Sequence, residues 1–138
     1  MDLLINPQTS YLLQADLASL HVESQSWLSE IEFWEDELAF FYILLHSKLS
    51  RQAYPLEEIA TLDKLLVHIN SDKLTTIKDQ ALNHERSLAL IMKSTSLQEE
   101  ENYRDIHRQL SIKMIDVHAA IKNFKKEVYA FVRKYESK

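Results

Sequence analysis

The stretch YRDIHRQLSIKMIDVHAAIKNFKKEVYAFVRKY, residues 103–135, decides the fold. Within it Tyr103, His107, Leu110, Met114, Val117, Ile121, Phe124, Val128, Phe131 and Tyr135 lie at steps alternating four and three. On an α-helix this spacing gathers all ten positions into one stripe, the seam of left-handed helix packing. The same alternation runs through Leu13, Leu17, Leu20, Ser24, Trp27, Ile31, Trp34, Leu38, Phe41 and Leu45. A third series, Ile59, Leu62, Leu66, Asn70, Leu74, Ile77, Ala81, His84, Leu88 and Ile91, drifts in phase by one residue around Asn70-Ser71-Asp72.

Breakers fall only at Asn6–Ser10, Ser50–Pro55 and Ser94–Ser96. Pro55 suits a first helical position, with Glu57 and Glu58 in the positive first turn. Ser96-Leu97-Gln98-Glu99 has the form of a capping box. The spacing predicts three helices over about 10–50, 55–93 and 97–136. Forty residues at 1.5 Å rise make helices of about 60 Å, and short connections set sequential neighbours antiparallel. The expectation is an all-α fold in one domain, 1–138: an elongated, coiled-coil-like, up-down-up bundle of three long helices, with a kink or break near Asn70–Asp72.

The chain of 138 residues contains no glycine, no cysteine and two prolines. Dinucleotide fingerprints, phosphate-binding loops and nucleophile elbows need glycine where a side chain cannot fit, so none is available. Thiolate chemistry, disulfides and cysteine zinc sites are excluded as well. A net charge of −5 gives no electrostatic footprint for nucleic acid. The longest apolar run, Leu38–Leu45, is far short of the roughly 20 residues of a membrane span. Met1–Pro7 lacks a basic region and cleavage site, so a cytoplasmic setting without membrane insertion is expected.

Charge is divided along the chain. Residues 1–47 carry eight acidic side chains and no Lys or Arg, whereas residues 104–138 carry nine basic and four acidic ones. Level-matching of helices brings Glu35, Asp36 and Glu37 near Lys122, Lys125 and Lys126. This pattern either fixes helix neighbours or offers an acidic docking face to a basic partner.

None of the six histidines has a carboxylate three positions before it, and no His-x-x-x-His occurs. Di-iron and zincin ligand sets are therefore missing. His84 and His107 nonetheless occupy seam positions that ordinarily hold apolar residues. Antiparallel level-matching sets His84 beside about residue 21 on the first helix and about residue 107 on the third. His21, His84 and His107 thus fall in one layer, next to the small seam residue Ser24. Such a layer either fixes register as a buried polar contact, switches with pH, or forms a three-histidine metal site. The first of these is preferred: no metal, no cofactor and no catalytic residue is assigned.

Phe33 and Phe40 sit about 100° from the first seam, with Leu44 in the same band. Either they widen the core stripe or they form a helix-packing interface. Trp27-Leu28-Ser29-Glu30-Ile31-Glu32-Phe33-Trp34-Glu35-Asp36-Glu37-Leu38 resembles the W-x-x-E-x-x-F-W/Y-x-D-E-L pattern of an uncharacterised family of small bacterial all-helical bundle proteins. The resemblance implies a long helical bundle and no established activity, so no catalytic residues carry over. The expected function is that of a non-enzymatic interaction protein. It either self-associates, as in a homodimer, or docks a helical partner through Phe33, Phe40 and Leu44. The alternative is a metal-binding bundle using His21, His84 and His107.

Overall fold

A computed structural model describes residues 16–48, 54–93 and 96–136. Every described element is helical: α1 Leu17–Ile43, passing into a π-helical turn Leu44–Lys48; α2 Leu56–His68; a second π-helical segment Ile69–Leu74; α3 Thr75–Lys93; and α4 Leu97–Glu136. The fold is all-α. Leu13, the breaker Asn6–Ser10 and the expected helical residues 10–15 and 49–50 lie outside the described residues.

Local chemistry sets the helix starts. Asp16 Oδ1 accepts the Ser19 N–H at 2.7 Å, an N-cap that also holds the Asp16 carboxyl below its usual range. Ser96 Oγ accepts the Glu99 N–H at 3.2 Å, half of the capping box. Pro55 stands one residue earlier than its sequence position implied, at the N-cap of α2 with extended backbone, and its carbonyl accepts the Ile59 N–H. A cap residue donates no helical hydrogen bond, so the ring nitrogen loses nothing there.

The seams are the core. Leu20, Ser24, Trp27, Ile31, Trp34, Leu38, Phe41 and Leu45 are buried along α1 and its π-turn, as are nine of the α4 positions from Tyr103 to Phe131. Tyr135 is half-buried. Each large apolar side chain withdrawn from water contributes roughly 1.5–3 kcal/mol.

One seam position needs correction. Asn70 is exposed, and Ile69 takes the core place beside it. The buried series therefore runs Ile59, Leu62, Leu66, Ile69, Leu74, Ile77, Ala81, His84, Leu88, with one step of five. The π-helical segment accommodates that step. Thr75 N–H bonds Asn70 O five residues back, and Thr75 Oγ1 donates to the same oxygen at 2.9 Å. A π-turn holds one more residue than an α-turn, so it absorbs the drift without a break in the helix.

The chain divides into two compact units, residues 1–29 with 77–114 and residues 30–76 with 115–138. In the first, Leu20, Leu88 and Tyr103 form an apolar cluster flanked by Leu17 and Ile91. Gln80 pairs with Lys113 and His84 with His107, so α3 descends in number as α4 ascends. In the second, Phe41 meets Phe124 edge-on at 5.6 Å, and Glu37 pairs with Lys125 at 2.8 Å. Tyr54 packs on Phe131 and Tyr135, whose hydroxyl donates to Glu58.

Candidate functional site

A polar cluster lies inside the first unit. His84 on α3 and His107 on α4 are both buried, and His84 Nε2 lies 2.9 Å from His107 Nδ1. The other nitrogen of His107, Nε2, lies 2.6 Å from Glu23 Oε1 on α1. The ionised carboxylate only accepts, so His107 Nε2 carries the hydrogen and donates it. In the neutral ring His107 Nδ1 is then an acceptor, filled by the Nε2–H of His84. His84 Nδ1 is left with a lone pair. One carboxylate, 39% exposed, thus sets the tautomers of two buried rings.

Aromatic faces hold the rings in place. Tyr103 stacks on His84 at 4.2 Å and 11°, and Trp27 lies 4.5 Å from His107. Burial, and then the charge His107 can carry, pull the His84 pKa down to about 4. Burial and the Glu85 carboxylate push the Tyr103 hydroxyl up to about 12. That hydroxyl makes no well-formed hydrogen bond, although nearby Ser24 offsets part of its shift. Ser24 Oγ donates instead to Leu20 O at 3.1 Å. A bulkier side chain at the Ser24 position would crowd Tyr103 and the rings beside it.

Of the three histidines expected in one layer, two meet. His21 turns to Glu85, its Nδ1 within 2.9 Å of the carboxylate, and does not join the other rings. Among the described residues no group of three or more His, Cys, Asp or Glu side chains is placed to hold a metal ion. Glu23 was not singled out by the sequence. It lies beside the seam, next to Ser24, and nothing in its residue type separates it from other surface carboxylates on α1.

On the outer side of the pair, Gln80, Asn83, His84, Ser87, Ile106, Gln109, Leu110 and Lys113 line a recess of about 440 Å³.

The band on α1 belongs to the second unit. Phe33 and Phe40 are 58% and 57% exposed, so they are surface and not a widened core; Leu44 is half-buried. Phe40 rests edge-on against Phe41 at 5.4 Å. Nearby, Leu38, Ala39, Tyr42, Ile43, Leu66 and Val67 line a groove of about 410 Å³ with Glu35 and Asn70 at its edge. Tyr42, Ile43 and Val67 are each at least half exposed. Glu30, Glu32 and Asp36 are exposed on the same helix.

No family model, curated protein or solved structure matches this chain. No known activity is therefore available to transfer to either site. Among the described residues no helix is long and apolar enough to cross a membrane.

Proposed function

We propose that this is a non-enzymatic interaction protein whose α1–α2 groove docks a basic amphipathic helix. An apolar surface in an acidic frame supports it. Tyr42, Ile43 and Val67 are each at least half exposed around a groove floored by Leu38 and Leu66. Glu30, Glu32 and Asp36 are exposed on the same helix and make no ion pair with any described residue. A helix with leucines on one face and lysines on its flanks satisfies both halves of that surface. A second copy presenting the same face would set carboxylates against carboxylates, which disfavours a two-fold pairing through this groove.

The test is a fluorescently labelled synthetic Leu/Lys amphipathic helix, titrated with the protein and followed by anisotropy. Binding is expected to weaken as salt rises and to fall at least about tenfold in Ile43→Glu, with helicity by circular dichroism unchanged. Equal binding by wild type and variant, or none by either, would reject the groove as a helix site. Sedimentation of the protein alone covers the rival occupant: a dimer dissolved by Ile43→Glu would assign the surface to a second copy.

A further inference from the structure

We infer that the recess over His84 is a binding site for a small hydroxycarboxylate, its hydroxyl donating to His84 Nδ1 and its carboxylate held by Lys113. This site is separate from the helix-docking groove and uses none of its residues.

Three observations carry it. First, with both rings neutral, the chain of contacts leaves the His84 lone pair on Nδ1. Glu23 accepts from His107, and His107 accepts from His84, so the only imidazole nitrogen without a hydrogen at the end of that chain is Nδ1. Second, that nitrogen makes no hydrogen bond with any described residue, it is not among the solvent-sealed unpartnered atoms, and His84 is itself a wall of the recess. An acceptor that opens to a recess is available to a donor from a small guest, which would replace solvent there. Third, the rest of the lining is chosen for a small polar guest. Lys113 Nζ reaches over the recess to Gln80 Oε1 at 3.2 Å and keeps donors to spare. Asn83 adds an amide, while Ile106 and Leu110 give an apolar wall.

The three anchors ask for different things of a ligand. The ammonium requires an anion. The imidazole nitrogen requires a donor, and a simple carboxylate has none to offer. A hydroxyl close to a carboxylate supplies both within a molecule that fits a recess of about 440 Å³. No covalent step is involved. Glu23 and His107 are positioning residues: they fix which nitrogen of His84 faces the guest.

The experiment uses the full chain labelled with nitrogen-15. Long-range proton–nitrogen spectra of the imidazoles assign the tautomers directly. His84 is expected to be protonated at Nε2 and bare at Nδ1, and glycolate or lactate is expected to shift the Nδ1 resonance saturably. Acetate, lacking the hydroxyl, should bind about tenfold more weakly, the scale of one lost hydrogen bond to a buried partner. Lys113→Met should weaken glycolate by a similar factor and leave the tautomers unchanged. Glu23→Leu, which removes the acceptor, should disturb the His84 tautomer while Lys113 is intact, whereas Glu23→Gln, which keeps an acceptor oxygen, should preserve it. A hydrogen found on His84 Nδ1 in the free protein overturns the proposal. So does glycolate that leaves this resonance unmoved, or acetate that binds as well as glycolate.

Discussion

His84 and His107 show what a single residue can reveal. They were legible in the sequence because they break a rule that their own helices otherwise keep, an imidazole where the seam holds apolar side chains. Glu23 was not legible, because a surface carboxylate beside a seam breaks no rule. Its role exists only once α1 and α4 are placed together. The pair has a measurable effect on stability. The His84 pKa is about 4 when folded, against an ordinary value of 6.5. Between those values the unfolded chain binds more protons than the native one, so stability rises with pH. The stability present above pH 6.5 should fall as pH drops to about 4 and level off below it. His107, Tyr103 and Trp27 surround the ring, and a shift of this size corresponds to roughly 3 kcal/mol. Urea unfolding at pH 7.5 and pH 5 measures it. The double substitution His84→Leu with His107→Leu should flatten much of the drop; equal slopes in both proteins would place the acid sensitivity elsewhere.

At the scale of the element, the second helical stretch is the instructive one. Its periodicity announced an irregularity at Asn70-Ser71-Asp72, but not its form, since a kink, a break and a widened turn all shift phase by one. Burial of Ile69 and exposure of Asn70 decide for the widened turn. Without one residue there, the buried steps would read three and four without interruption from Ile59 to Leu88. Deletion of Asn70 should therefore be tolerated, with helicity kept and stability changed by no more than about 1 kcal/mol, as the π-turn closes to an α-turn. Deletion of Lys78 in α3 is the control. It turns Ala81, His84 and Leu88 by about 100° relative to the preceding seam and should cost several kcal/mol. Thermal unfolding of both variants is the comparison. Loss of fold in the Asn70 deletion would show that the extra residue is itself required.

Over the whole molecule, charge is the dominant variable. The chain is acidic, with a sequence isoelectric point near 5.7 and net charge −5 at pH 7. Net negative charge opposes the approach of copies at neutral pH, while Phe33, Phe40 and Ile43 are exposed. Near pH 5.7 that repulsion vanishes and the apolar surface is left unopposed. Light scattering should therefore peak near that pH, and Phe40→Glu should lower the peak as well as move it downward. An unchanged peak would mean that another surface drives association.

The backbone itself carries a last consequence. No described residue has a positive φ, and no glycine occurs anywhere in the chain. Most folds contain positions where only one residue type fits the local dihedral angles, and these limit which neighbouring sequences can share the fold. Here the described backbone imposes no such demand. Substitutions act through side chains alone: on the seams, at the caps of Asp16 and Ser96, and on the Glu23–His107–His84 chain. Sequences that keep those few features can diverge almost everywhere else and still adopt this structure, which places the fold within reach of relatives too distant to be recognised by residue identity.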